Sequence, residues 1–372
     1  MTIAKVDIFG ICLPLKKPFI VSYDRYEDMP TILVRIELAN GVIGWGEAVP
    51  DQHVTGETWN SVLQILEHEL APLLIGLSPF QIELIHHKMN KKILGNPSAK
   101  AAIDCALYDL MGKVTNQPVY QLIGGKAHEF LTVPQIISIK SPAEMAEDAR
   151  RIVLEGFNNI KIKVGTDTQT DIERIRAVRN AIPKEVKLRV DANQGWDRIS
   201  TLTVIEQTKD CQVDWYEQPV LAEDILSLQE VRRVSHAKIM IDEGIHNTSD
   251  LLRVIQNRSA DMVNIKLMKA GGIYPALAIA SVAEAAGMPC QVGSMVESAI
   301  GTMAGAHLSI SRSIIKSNEL VGPLMFSQDI GTILYDKDRL RFPNLPSLGA
   351  QMDEALVREL TKVHITVSER SN

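Results

Sequence analysis

Short apolar, β-rich runs recur through the middle of the chain, and each closes on a charged residue. They read NIKIKV, KLRVDAN, VDWYEQP, KIMIDEG and MVNIKL. From Lys163 the closing residues follow at 28, 26, 25 and 24 positions: Asp191, Glu217, Asp242 and Lys266. The polar-apolar segments between the runs are long enough for a helix each. Strand-helix units of that length predict parallel strands around a barrel, with side chains at the strands' C-terminal ends converging on one mouth. A first unit is predicted from LTVPQIISI and a helix over 143–155, a seventh strand over 288–295 and an eighth over 318–324.

The chain before this region is patterned differently. IAKVDIFGICLPL and TILVRIELANGVIGWGEAV alternate as strands do, the second as a hairpin turning at Ala39-Asn40-Gly41. Residues 21–30 and 50–56 read as exposed loops, and helical patterns occupy about 57–75, 80–93 and 97–114. The predicted organisation is an N-terminal α+β capping domain over 1–124 and an α/β barrel of the modified (β/α)7β TIM type over 125–328. A C-terminal segment over 329–372 is expected to pack back on the cap.

Composition changes this picture little. The 372 residues are 45% hydrophobic and 23% charged, with a formal net charge of −6. That is ordinary for a globular domain, and no basic stripe marks a nucleic-acid partner. No apolar run reaches the ~20 residues of a membrane span. The N-terminus lacks a secretory pattern, and Cys12, Cys105, Cys211 and Cys290 are widely spaced without a CxxC pair. A reduced, cytoplasmic setting is therefore expected.

The charged residues that close the strands carry the chemistry. Asp191, Glu217 and Asp242 projecting into one cavity would repel unless a cation held them. All-oxygen ligation selects a hard ion, Mg²⁺ first and Mn²⁺ as the alternative. Asn193 and Glu243 stand beside these residues and are expected to orient them. Lys161 and Lys163 lie two apart on one strand and so share a face, and an outward pair would meet the covering helix. Crowded ammonium groups near a cation predict lowered lysine pKa values, as a general base requires. Lys266 closes a strand across the barrel, so two bases could work on opposite faces of one substrate carbon. Lys269 is expected to be structural. A Schiff-base lysine is the rival chemistry, but it does not need three carboxylates on consecutive strands; a non-catalytic binding barrel would not need the bases.

The residues Asn159 to Gly165, Val190 to Trp196, Glu217-Gln218-Pro219, Asp242-Glu243 and Asn264 to Gly272 together resemble the muconate-lactonizing subgroup of the enolase superfamily. Ile43 to Glu47 and Ala99 to Ala102 extend the resemblance into the first domain. It implies Mg²⁺ on Asp191, Glu217 and Asp242, Lys163 and Lys266 as acid/base catalysts, and Lys161 on the carboxylate of a small-molecule substrate. It also implies a cap whose loops set specificity, and a homo-oligomer. Within the subgroup the chain is most similar to N-succinylamino acid racemases, sharing Ser22, Tyr23, Tyr26, Asp28, Met29, Pro30 and His53 to Glu57. Dipeptide epimerases carry Asp-x-Asp on the eighth strand where this chain has Glu319-Leu320-Val321. Muconate cycloisomerases share Glu-Leu-x-Gly-Pro there, so they and o-succinylbenzoate synthase-type lyases stay open as alternatives. Tyr26, Asp28, Asp51, Ser294 and Glu319 are expected to meet the substrate, and the acidic cap-loop residues Asp24, Glu27, Asp28 and Asp51 either select a cationic Arg or Lys side chain or are solvated loop carboxylates.

Overall fold

The computed structural model describes residues 1–368. The N-terminal sheet is antiparallel, built from β1 (Ile3–Ile20), β2 (Arg25–Leu38) and β3 (Ile43–Ala48), with β1 also paired to a strand from the far end of the chain. Three helices cover it: α1 (Trp59–Ile65), α2 (Ile82–Lys92) and α3 (Pro97–Thr115). The single long helix expected over 57–75 is instead α1 followed by a π turn and a 3₁₀ turn ending at Leu73. The expected loop over 21–30 is largely strand, because β2 already begins at Arg25 and Met29 is buried; only residues 21–24 form the connection. Period-two apolar positions are sparse in the polar stretch Tyr23 to Asp28, so local pattern could not show this extension.

The second sheet holds eight parallel strands in chain order: β4 (Gln135–Ile137), β5 (Asn159–Lys163), β6 (Lys187–Asp191), β7 (Val213–Glu217), β8 (Ile239–Ile241), β9 (Met262–Ile265), β10 (Cys290–Val292) and β11 (Ile315–Asn318). One long helix fills each of the seven connections: α4 (Pro142–Leu154), α5 (Thr168–Ala181), α6 (Arg198–Gln207), α7 (Ile225–Val234), α8 (Thr248–Asn257), α9 (Ile273–Ala285) and α10 (Ala299–Ser311). This is the (β/α)7β barrel. Two boundaries differ from expectation. Leu131–Thr132 belongs to a separate three-stranded sheet, so the first barrel strand starts only at Gln135. The eighth strand, expected over 318–324, is Ile315–Asn318 and shares only Asn318 with that range, while Gly322–Met325 form a short helix; Glu319 therefore stands just past a strand end like Asp242 and Lys266.

Local chemistry explains where the barrel helices start. Ser141, Asp167, Asp197, Asp224, Asn247 and Ser298 each cap a helix by accepting a backbone N–H, satisfying donors the first turn would leave unpaired. In β5 all five residues are buried: Ile160 and Ile162 join the main apolar core, and Lys161 and Lys163 take the other face. The cap is fastened to the barrel by Glu47 of β3. Its carboxylate accepts from Ser298 N (2.9 Å), Ser298 Oγ (2.7 Å) and Gly301 N (2.8 Å) at the start of α10. The last strand, β12 (Val363–Ser368), runs antiparallel to β1. Among the described residues no helix is long and apolar enough to cross a membrane, and the four cysteines are free.

Candidate active site

Parallel register sets a row of charged residues. Lys163 pairs with Asp191 and Asp191 with Glu217 across β5, β6 and β7, so three charged side chains stand side by side at one level of the barrel. Lys163 Nζ donates to Asp191 Oδ2 (2.6 Å) and Asn193 Oδ1 (2.9 Å). Lys161 Nζ lies 2.8 Å from Asp191 Oδ2 and donates to Glu217 Oε1 (2.9 Å) and to Glu319. On the far side, Lys266 Nζ is 2.7 Å from Asp242 Oδ2, and Lys269 donates to Asp242 Oδ1 at 2.6 Å. All of these residues are buried.

Asn193 and Glu243 touch each other: Asn193 Nδ2 donates to Glu243 Oε1 at 2.9 Å, while its backbone N–H donates to Asp191 Oδ1 at 2.9 Å. Three further residues were not singled out as part of this cluster from sequence. Asn264 Nδ2 donates to Glu217 Oε1 (2.8 Å), and Gln218 Oε1 accepts from Asp242 N (2.9 Å) and Gly244 N (3.2 Å). Lys269, expected to be structural, holds Asp242 from within the cluster. Asn264 was within reach of strand periodicity, being two positions before Lys266 on the same face.

Charge and burial act against each other here. At Asp191 burial works upward, but Lys161 and Lys163 outweigh it and bring the carboxyl down to about 2. At Asp242 burial is likewise outweighed, by Lys266 and Lys269, and the carboxyl falls below the usual range. Burial dominates at Glu217, where Lys161 opposes it and Asp191 and Glu319 reinforce it, pushing the carboxyl up to about 8. At Lys161 burial lowers the pKa, but Asp191, Glu217 and Glu319 together overcome it and hold the ammonium charged; Lys266 is raised in the same way by Asp242 and Glu243. The downward shift expected at Lys161 is thus reversed. Sequence spacing shows the lysine pair but not how many carboxylates reach its nitrogen.

The donor set suits a hard cation. Glu217 Oε2 and Glu243 Oε2 are buried without a hydrogen-bond partner, and Asp242 Oδ2 meets Lys266 only outside hydrogen-bond geometry. Buried carboxylate oxygens left in this state are costly unless a positive charge reaches them. With the carboxylates turned onto the lysines, no three acidic, histidine or cysteine side chains form a ready cage among the described residues.

Lys163 and Lys266 line one cavity together with Asn193, Ser294 and Glu319 from the barrel and Phe19, Tyr23, Tyr26 and Asp51 from the cap. Tyr26 Oη donates to Asp51 Oδ2 (2.6 Å), whose other oxygen accepts from His53 N (2.8 Å) and Val54 N (3.0 Å). Ser294 N–H reaches Glu319 Oε2 at 3.3 Å. Asp28 is not brought to the cavity; it is exposed on β2, opposite Pro14. Both cap segments are bonded to the barrel, Ser22 Oγ to the Asn193 carbonyl (2.8 Å) and His246 Nε2 to the Val54 carbonyl (2.9 Å).

A buried row of lysines and carboxylates at the C-terminal ends of a (β/α)7β barrel, under an α+β cap, is the architecture of one enzyme class. Residues 4–124 match the mandelate racemase / muconate lactonizing enzyme N-terminal domain, and residues 144–356 the enolase C-terminal domain-like model. The chain belongs to this family of the enolase superfamily, and it is an isomerase of the racemase and epimerase kind. It is 47% identical to the N-succinyl-L-Arg/Lys racemase of Bacillus cereus over 97% of this chain and 98% of that one. The crystal structure of that racemase superposes with a TM-score of 0.98, covering 99% of this chain and 100% of that one. The L-Ala-D/L-Glu epimerase of Bacillus subtilis is 39% identical over 94% of this chain and 96% of that one. A dipeptide epimerase from Cytophaga hutchinsonii, complexed with Mg and D-Ala-L-Val, is 34% identical with a TM-score of 0.96, covering 99% of this chain and 100% of that one.

Proposed function

We propose that the chain is a racemase of N-succinylamino acids with cationic Arg or Lys side chains, working by proton transfer between two lysines. The observation that carries the reading is that Lys163 and Lys266, both buried, open on one cavity. A substrate α-carbon between them would lose its proton to the Nζ of one lysine in its neutral form. The electron pair of the C–H bond passes into the substrate carboxylate, and the ammonium of the other lysine returns a proton to the opposite face. Lys161, charged and anchored below, holds the substrate carboxylate. Asp191, Glu217 and Asp242 would hold the divalent ion, with Asn193, Glu243, Gln218 and Lys269 fixing their orientation. Bound there, Mg²⁺ (or Mn²⁺, an equally hard ion) would supply positive charge to the substrate carboxylate as the α-proton leaves and would compete with the lysines for the same oxygens.

Two features support the substrate class. Val321, two positions after Glu319, puts an apolar wall in the cavity where a free α-ammonium would need a second carboxylate. That suits an acylated amine. The buried Asp51, steadied by Tyr26, gives the cap side of the cavity an anionic group for a guanidinium or ammonium side chain. In this reading residues 1–124 act as the cap, 125–328 as the catalytic barrel and 329–368 as the segment that ties the two, the last four residues of the expected 329–372 lying outside the described residues. The testing experiment is a polarimetric screen of N-succinyl-L-amino acids and L,L-dipeptides with Mg²⁺ present. The reading expects loss of rotation with N-succinyl-Arg and N-succinyl-Lys ahead of every dipeptide. Preference for a dipeptide would make the chain a dipeptide epimerase, and a new ultraviolet-absorbing double bond would make it a lyase.

A further inference from the structure

A second cavity opens beside the catalytic one and shares Phe19, Ile136 and Met325 with it as common walls. Its chemistry is the opposite of the Asp51 side. Lys16, Lys17, Arg25, Lys140 and Arg151 line it against Asp148 and Glu155 only, a surplus of three positive charges in a chain whose net charge is −6. Within that set Lys140 is paired with Asp148, and Arg151 with Asp148 and Glu155. Lys16 Nζ donates to the Leu324 carbonyl at 2.9 Å, and Arg25 pairs with Glu27 on the outer surface. Lys17 is exposed and has no ion-pair partner among the described residues.

The backbone presents this lysine pair by a local irregularity. The β1–β2 register jumps from Pro14 opposite Asp28 to Phe19 opposite Tyr26, so Leu15 to Pro18 face the single residue Glu27. A bulge of this kind bends the strand and re-aims its side chains, and such features gather near active sites. Here it turns two lysines toward the groove, while Phe19, immediately after, forms the wall of the catalytic cavity and lies 5.8 Å from Lys163 Nζ.

We infer that this basic groove receives the distal carboxylate of the N-acyl group, so that Lys16 and Lys17 determine specificity for N-succinyl over uncharged N-acyl substrates. The inference rests on the function proposed above. It follows from polarity on the two sides of the wall that the cavities share: an anionic group at Asp51 on one side and a cationic groove beyond Phe19 and Ile136 on the other. A substrate with its α-carbon between Lys163 and Lys266 can then point a cationic side chain one way and an anionic acyl arm the other. The partly solvated setting makes the contact sensitive to salt, because a Debye length of about 8 Å at physiological ionic strength screens exposed charges.

Racemisation kinetics of the Mg²⁺-loaded full chain on N-succinyl-L-arginine and N-acetyl-L-arginine test this. In K16E/K17E, kcat/KM for the succinyl substrate should fall roughly tenfold, mainly through KM, and the acetyl substrate should lose less than about threefold. Lys17→Arg should keep the wild-type ratio. Lys88→Glu on the exposed face of α2 is the control for net charge and should keep it too. Raising ionic strength should narrow the ratio in wild type and not in K16E/K17E. If both substrates lose rate equally in K16E/K17E, or neither does, the groove has no such role, although wild-type racemisation of N-succinyl-arginine would leave the proposed function standing. If the wild type racemises neither N-acyl substrate, both readings fall together.

Discussion

The residue that shows most about the balance of forces in this protein is Lys161. Burial alone would neutralise it, yet Asp191, Glu217 and Glu319 surround its nitrogen and keep it an ammonium. A group of that kind is suited to holding an anion, while the proposed function gives proton transfer to Lys163 and Lys266, which line the cavity. In the proposed function, side-chain preference turns on Asp51. Asp51→Asn should lower the kcat/KM ratio of N-succinyl-Arg to N-succinyl-Phe by about tenfold, the scale of one charge-assisted contact; an unchanged ratio would remove Asp51 from the account. His307 gives a prediction on pH. Its Nδ1 accepts the Tyr120 N–H (2.9 Å) and its Nε2 meets the Leu348 carbonyl (3.0 Å), and burial brings its pKa from 6.5 down to about 3. The folded value lies below the unfolded one, so the stabilisation is complete above pH 6.5 and is lost as pH falls toward 3. In thermal unfolding between about pH 6.5 and 4, Tm should fall more steeply in wild type than in His307→Gln. Parallel slopes would show that His307 does not carry that loss.

At the scale of elements, contacts between backbones decide the site. A Cβ on Gly195 would lie 2.1 Å from the Gly165 carbonyl oxygen, and Gly165 itself has φ +104°. The loops leaving β5 and β6 therefore interlock through glycine, which is what lets Lys163 meet Asn193. Gly195→Ala should force these loops apart and lower kcat at least tenfold with a folded barrel by circular dichroism; wild-type kcat would show the interlock to be dispensable. Glu47 does similar work between domains. Glu47→Ala leaves three donors of α10 without an acceptor and should destabilise by roughly 1–3 kcal/mol for each donor left buried and unpaired, read in a denaturant midpoint. A midpoint equal to wild type would contradict that role. Much at this scale was legible in the sequence, because Lys163, Asp191, Glu217, Asp242 and Lys266 recur at nearly the strand-helix period. What was not legible depends on pairing across distance. The β2 extension into residues 25–30 is held by β1 rather than by its own pattern, and Leu131–Thr132 is drawn to a distant strand at Arg339–Leu340. The sequence pattern puts Glu319 on a strand, whereas the ladder of β11 stops one residue earlier.

For the whole molecule, the proposed function makes one claim: that the barrel moves a proton between two lysines beside a divalent ion, under the cap. Binding of an ion to the folded state alone would stabilise it by about 2.7 kcal/mol at a hundredfold excess over Kd. Mg²⁺ should therefore raise Tm in wild type and fail to do so in Asp242→Asn. The most direct measurement follows hydrogen at the substrate α-carbon. In D₂O with Mg²⁺, wild type should place deuterium in both enantiomers of N-succinyl-arginine. Lys163→Ala and Lys266→Ala should each lose racemisation by a factor on the order of 10² or more, and each should still exchange only the enantiomer whose proton faces the lysine that remains. Racemisation at the wild-type rate in either variant would contradict the two-lysine account.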